Sequence, residues 1–71
     1  MTKRQIEELE YEFNYYSRRF ALYEDERDEN RASMTALQRA VKIFGYKFVV
    51  KDTMNEYGTE YKIYELVKIS E

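Results

Sequence analysis

Carboxylates are the side chains of this sequence that come closest to forming a chemical site. Glu8 and Glu12 stand four residues apart, a spacing that places both on one face of a helix. Paired carboxylates serve in acid–base catalysis, but this pattern is simply explained by a solvated helix face. Asp25, Asp28 and Asn30 miss the ligand spacing of a calcium-binding loop and lack its glycine. We therefore predict no metal site.

Histidine and cysteine are both absent from the 71 residues. Without them the chain has no Ser-His-Asp or Cys-His nucleophile, no usual zinc site and no disulfide. The two glycines, Gly45 and Gly58, are too far apart to form a loop that cradles phosphate. The sequence therefore predicts a protein that is not an enzyme, with no catalytic residue and no cofactor.

Two segments carry side chains that are suited to recognition instead. Between Tyr15 and Phe20, arginines are interleaved with aromatic residues, which is typical of nucleic-acid contacts and equally of a solvated surface. Residues 24–32 hold five acids and two arginines, which would steer a basic partner or keep a loop soluble. Ten residues are candidate partner-binding positions: Tyr11, Tyr15, Arg18, Arg19, Leu22, Glu24, Asp25, Glu26, Asp28 and Glu29.

The length of the chain limits the size of its core. Residues 1–71 make one small domain, which buries only about 60% of its unfolded surface. Because no disulfide or metal stabilises it, we expect a homodimer. No apolar run approaches the roughly 18 residues that span a membrane, and no secretion leader opens the chain. These features predict no membrane contact and a cytoplasmic location.

The strongest pattern in the sequence is helical and covers residues 6–23. Apolar residues recur there at steps of three and four, which predicts an amphipathic helix from a Thr2–Gln5 capping box to about Glu24. The stripe consists of Ile6, Leu9, Phe13, Tyr16, Phe20 and Tyr23. A second stripe, of Tyr11, Tyr15 and Leu22, lies roughly 160° away. We expect the first to pack on the chain and the second on another copy or a foreign protein.

Residues 24–31 contain no apolar side chain and form the boundary to a second helix. The heptad phase carries across them, so one coiled-coil helix of about 40 residues is an alternative. The cap-type residues Asn30, Ser33 and Thr35 favour a break with a loop, followed by a helix over 33–44 that ends at Gly45. The core positions of this helix are Met34, Leu37, Ala40, Val41, Ile43 and Phe44.

The last third of the chain alternates as β-strands do. Residues 46–51 and 61–69 are the predicted strands, joined by a loop over 52–59. The second strand alternates imperfectly, and a β-bulge near Tyr64 would restore its pattern. The predicted fold is therefore α+β, with a long amphipathic helix, a shorter helix and a C-terminal two-stranded β-hairpin that packs on the helices.

The segment Asn30-Arg31-Ala32-Ser33-Met34-Thr35-Ala36-Leu37, followed by Gly45 and a strand, resembles the last helix of Xre-type helix-turn-helix regulators and antitoxins. Residues of the first helix would match the two helices that precede it in the family: Leu9, Phe13, Phe20, Tyr23 and Glu24. The whole resemblance covers at most residues 9–66. The resemblance implies sequence-specific DNA binding through residues 16–19.

Two functions are consistent with these features. The first is a small non-enzymatic module that binds a protein partner. Compact, tyrosine-rich and acidic chains of this kind resemble phage or mobile-element accessory proteins, including inhibitors of nucleic-acid-handling proteins. The second is a small helix-turn-helix-like, DNA-binding transcriptional regulator. The net charge of −2 is too small to identify the partner.

Overall fold

The computed structural model describes residues 1–70, so Glu71, the last residue of the predicted 1–71 domain, lies outside the described part. The elements follow one another as α1 (Lys3–Leu22), a 3-10 turn (Glu24–Glu26), α2 (Arg27–Ile43), β1 (Tyr46–Glu56) and β2 (Thr59–Lys68). The predicted α+β class is confirmed: two helices, one of them long, precede an antiparallel hairpin.

α1 begins at the capping box that the sequence predicts. The Thr2 hydroxyl accepts a hydrogen bond from the Gln5 backbone N–H at 3.2 Å, and the Gln5 side chain accepts one from the Thr2 N–H at 2.8 Å. Two donors of the first turn are thereby satisfied. The helix ends at Leu22, close to the predicted Glu24, because Tyr23 takes an extended conformation.

The acidic segment after α1 is neither a loop nor the middle of one long helix. Residues 24–26 form a single 3-10 turn, and α2 already begins at Arg27. The predicted break is confirmed, but the predicted loop over the remaining residues is wrong. Asp28 and Glu29 lie in the first turn of α2, where negative charge is favourable beside the helix dipole. Asn30 is consequently buried within the helix instead of capping it.

The hairpin is longer than its sequence pattern indicates. β1 continues to Glu56, so most of the predicted loop over 52–59 is strand. The turn itself consists of Tyr57 and Gly58, whose φ angles of 54° and 79° are the signature of a type I′ turn. Tyrosine is an unusual first residue for such a turn, which explains why the sequence pattern did not place it.

A β-bulge interrupts the ladder between Val50 and Asp52. The extra residue is Lys51 of β1, which lies between the paired residues Val50–Tyr64 and Asp52–Ile63. The predicted bulge is therefore at the right level of the hairpin but on the opposite strand. The irregular burial of β2 has another cause, namely the position of α1.

α1 lies along the edge of β2 and contacts residues from both faces of the sheet. On one face, Phe48 stacks on Phe13 with ring centroids 3.9 Å apart, and Tyr64 meets Phe13 edge-on at 5.0 Å. On the other face lies Tyr61, since residues an odd number of positions apart in a strand point to opposite faces. Phe13, Tyr61 and Leu66 are all buried. Both faces of β2 therefore contribute to the core.

Side chains of α1 supply the hydrogen bonds that a third strand would make to β2. The donors and acceptors are Glu10, Asn14 and Ser17, spaced by four and three residues. Their partners are alternate residues of β2: Leu66, Tyr64 and Lys62. Glu10 accepts a hydrogen bond from the Leu66 N–H at 2.7 Å. Asn14 exchanges two hydrogen bonds with the Tyr64 backbone, at 2.8 and 3.0 Å, and Ser17 donates to the Lys62 carbonyl at 3.4 Å. An otherwise bare sheet edge is thus covered.

Several residues predicted for the core are exposed. Ile43 is 83% exposed and Phe44 67%, and Ala40 and Tyr23 are exposed as well. Within the same stripe Val41 is buried. The apolar stripe of α2 is wider than the part of the helix that α1 and β1 cover, so residues at its margin remain exposed. An uncovered apolar strip therefore remains at the C-terminal end of α2.

Candidate partner-binding surface

Two tyrosines of α1, Tyr11 and Tyr15, are exposed. Tyr11 is 76% exposed and Tyr15 47%. With one arginine and three glutamates they line a shallow depression of about 650 Å³. We call this set the tyrosine face: Arg4, Glu7, Glu8, Tyr11, Glu12 and Tyr15. Exposed aromatic rings surrounded by carboxylates attract positively charged groups, because the rings make cation–π interactions and the carboxylates attract opposite charge.

Leu22 was predicted to share a stripe with these tyrosines. It is half-buried at the C-terminal end of α1 and does not line the depression. The second stripe of α1 is thus divided, with its first two members exposed to solvent and its third partly packed.

Arg18 binds the hairpin. Its Nε donates to one carboxylate oxygen of Glu56 at 2.6 Å and its Nη2 to the other at 3.1 Å. The Tyr61 hydroxyl donates to the same carboxylate at 2.5 Å. Hydrogen bonds from Arg18, and then from Tyr61, lower the pKa of Glu56 to about 2. The hydrogen bond to Glu56 raises the pKa of Tyr61 above its ordinary value. This network fixes the hairpin tip against α1.

Arg19 binds the 3-10 turn. Its Nη2 donates to a carboxylate oxygen of Glu26 at 2.6 Å, and this hydrogen bond raises the pKa of Arg19. The guanidinium carbon also lies 4.8 Å from the ring centroid of Tyr23 and 5.4 Å from that of Tyr15. Arg19 therefore joins the end of α1 to the start of the next element, with its charge already neutralised.

The remaining candidate acids lie on the surface at the far end of α1. Glu24, Asp25, Asp28 and Glu29 are exposed, whereas Glu26 is half-buried beside its arginine. The tyrosine face occupies residues 4–15, nearer the beginning of the same helix. The structure thus brings Tyr11 and Tyr15 together and leaves the acidic run as a separate patch.

Tyr57 is an exposed aromatic residue that the sequence pattern did not single out. It is 92% exposed at the hairpin tip and has a φ of 54°. A bulky non-glycine residue with positive φ is an outlier, and such strain is concentrated at functional sites. The signal in the sequence is the Tyr-Gly pair between two strand-like segments, which falls within the predicted loop over 52–59.

Within residues 1–70, no group of three or more His, Cys, Asp or Glu side chains is placed to bind a metal ion. In the same range no helix combines the length and apolar character needed to cross a bilayer.

Comparisons with known proteins give no relative from which a role could be transferred. No protein-family model matches the chain, and neither a curated protein nor a solved structure matches it. The candidate surface therefore rests on the geometry of its residues.

Proposed function

We propose that the protein is a small non-enzymatic binding module whose tyrosine face docks on a basic surface of another protein. The observation that carries this proposal is the exposure of Tyr11 and Tyr15, which stand one helical turn apart on α1 and line a shallow depression. Tyrosine supplies a large, rigid contact area and is enriched at the energetic centres of interfaces.

The charges around the tyrosines indicate the chemistry of the partner. Glu7 and Glu12 are exposed, and Glu8 forms only an exposed pair with Arg4 at 3.2 Å, which contributes little. Arg19 illustrates how this chain accommodates a guanidinium, between tyrosine rings and beside a carboxylate. An arginine or lysine of the partner would find the same environment at Tyr11.

A protein with such a basic surface is typically one that contacts nucleic acid, because phosphate binding requires arginine and lysine. The proposed partner class is therefore a nucleic-acid-handling protein, and the proposed role is that of an accessory protein or inhibitor, as in phages and mobile elements. The exposed carboxylates of residues 24–29 would accelerate encounter with such a partner in the cytoplasm.

DNA binding through residues 16–19 is the alternative prediction, and its support is weaker. Arg18 and Arg19 are already bound to Glu56 and Glu26. Each ion pair offsets the positive charge of its guanidinium, which weakens the attraction of residues 16–19 for phosphate.

The test compares affinity capture by three tagged proteins: the wild type, Tyr11→Ser with Tyr15→Ser, and the control Met54→Ser. Met54 is also exposed but lies on the hairpin. We expect the wild type and the control to retain a basic protein after nuclease treatment, and the double variant to lose it. Capture that disappears with nuclease, or that is equal for all three proteins, would contradict the proposal.

A further inference from the structure

A groove between the two helices adjoins the tyrosine face. It measures about 490 Å³, and its walls include Glu8, Leu9 and Glu12 of α1 and Ala40 and Phe44 at the end of α2. Its floor is apolar, whereas the rim that α1 contributes is acidic. No segment of the described chain, residues 1–70, fills it.

Two large exposed apolar side chains stand at the α2 side of this groove: Phe44, which forms part of its wall, and Ile43, which precedes it in the chain. Ile43 is 83% exposed and Phe44 67%, whereas Val41 on the core-facing side of α2 is buried. Single exposed apolar residues are ordinary, but here two of them continue an apolar groove into one surface. Each molecule therefore presents an apolar groove and, on its α2 wall and just beyond it, exposed side chains of the kind that would fill such a groove.

The charges on the two helices are complementary across this surface. Glu8 and Glu12 line the α1 side, whereas Arg39 is exposed on α2, one helical turn before Ile43. Within the described residues, neither Arg39 nor Glu12 forms an ion pair. If two molecules were related by a two-fold axis, Arg39 of each would face Glu8 and Glu12 of the other.

We propose that the occupant is a second copy of this chain, bound about a two-fold axis. Ile43 and Phe44 of each copy insert into the groove of the other, and Arg39 of each copy faces Glu8 and Glu12 of the other. Such an interface is self-complementary, as a two-fold dimer requires. Both halves of the contact are present on one molecule, which favours a second copy over a foreign protein.

The contact between the two copies must extend beyond the groove to reach the area that a stable interface buries. Dimers bury roughly 800 Å² on each partner, more than this groove alone offers. The contact therefore continues along the outer side of α2, where Ala32 and Ala36 are exposed and allow another helix to approach closely. The contact between copies thus lies along α2 and the groove, and not along the Tyr11–Tyr15–Leu22 stripe from which the sequence predicted self-association.

Sedimentation velocity over a concentration series tests the apolar part of this inference. We expect the wild type to reach the dimer mass in the high micromolar range. Ile43→Ser with Phe44→Ser should raise the dissociation constant about tenfold or more. Because both residues are exposed, a thermal melt of the dilute double variant should stay close to that of the wild type. A wild type that remains monomeric overturns the inference.

Charge reversal tests the orientation. Arg39→Glu alone and Glu12→Arg alone should each weaken the dimer, whereas the protein carrying both changes should regain most of the lost affinity. Tyr11→Ser with Tyr15→Ser serves as the control and should leave dimerisation intact, because neither tyrosine lines the groove. A dimer that is broken by the tyrosine variant and unaffected at Ile43, Phe44 and Arg39 would place the contact on α1 and refute the inference.

Discussion

The side-chain amide of Asn14 binds the backbone of Tyr64 as a neighbouring β-strand would. Its Oδ1 accepts from the Tyr64 N–H at 2.8 Å, and its Nδ2 donates to the Tyr64 carbonyl at 3.0 Å. A two-stranded hairpin is marginal by itself in water. Here a helix substitutes for the third strand, and Asn14 lies at the centre of that substitution, between Glu10 and Ser17.

Asn14→Ala should therefore destabilise the domain. The substitution leaves the Tyr64 N–H and carbonyl without partners in a partly buried position, and an unsatisfied buried group costs about 1–3 kcal/mol. The measurement is the free energy of unfolding from urea titration followed by circular dichroism. Asn55→Ala, at an exposed position of β1, is the matched control and should change stability by less than about 0.5 kcal/mol. Equal effects of the two substitutions would contradict the edge-covering role.

The pH dependence of stability should report on Glu56. Its pKa is lowered to about 2 from an ordinary 4.5, first by the hydrogen bond from Arg18. A carboxyl group whose pKa is lower in the folded state stabilises the fold fully above its unfolded pKa, and this contribution disappears as the pH falls through the folded pKa. We therefore expect the stabilisation by Glu56 to be complete at neutral pH and to be lost between pH 4.5 and about 2.

Glu56→Gln separates this contribution from general acid unfolding. The variant should be less stable than the wild type at neutral pH, and the two curves should converge as the pH falls. Glu60→Gln, an exposed change on the neighbouring strand, is the control and should follow the wild-type curve. Parallel curves for the wild type and Glu56→Gln throughout the acidic range would show that folding does not lower the pKa of Glu56.

Tyr57→Asn should stabilise the fold. A left-handed backbone conformation costs an L-residue about 1–2 kcal/mol, whereas asparagine before glycine is a favoured type I′ turn pair. Because Tyr57 is almost fully exposed, its replacement removes little packing. The expected result is a higher urea midpoint for the variant. If the strained tyrosine is retained for binding, the same variant will hold the captured partner less well despite its greater stability. A lower midpoint would show that the tyrosine ring stabilises the turn.

Features set by adjacent residues were predictable from the sequence. The Thr2–Gln5 capping box and the period of α1 are as predicted, and Gly45 ends α2 with a φ of 81°. The exposure of Ile43 and Phe44 was not predictable, because periodicity identifies residues that share a face but not how much of that face the neighbours cover. The strand ends were missed because exposed residues such as Asn55 have low β-propensity, and the pairing with β2 overrides it.

The contacts of the candidate site depend on residues that are distant in sequence. Arg18 and Arg19 are adjacent and look alike, yet one binds Glu56 on the hairpin and the other Glu26 on the 3-10 turn. Likewise, Glu10, Asn14 and Ser17 form a polar line that is typical of a solvated helix surface. Their role becomes apparent only when β2 lies beside them. The exposed pair Tyr11 and Tyr15, by contrast, followed directly from the second helical stripe.

The ion pairs also determine how the two functions should be distinguished. Reversing the charge of Arg18 or Arg19 would break contacts within the fold, so loss of DNA binding in such variants would be ambiguous. The amide variants Arg18→Gln and Arg19→Gln are milder, and their folding should be verified by circular dichroism before any binding assay. On the acidic side, Glu26 should be left unchanged because it holds Arg19.

Neutralising the four exposed acids of the 24–29 patch should slow association with the protein partner. The changes are Glu24→Gln, Asp25→Asn, Asp28→Asn and Glu29→Gln. They preserve shape and polarity, so stopped-flow association rates isolate the contribution of charge, which steers encounter and is screened by salt. We expect a lower association rate with a weaker salt dependence, and no specific duplex binding by the wild type. Tight, sequence-dependent duplex binding by the wild type that is lost in the folded Arg19→Gln variant would favour the DNA-binding regulator instead. In that case the logarithm of the binding constant should fall with the logarithm of the salt concentration, with a slope of about −0.9 for each phosphate contact.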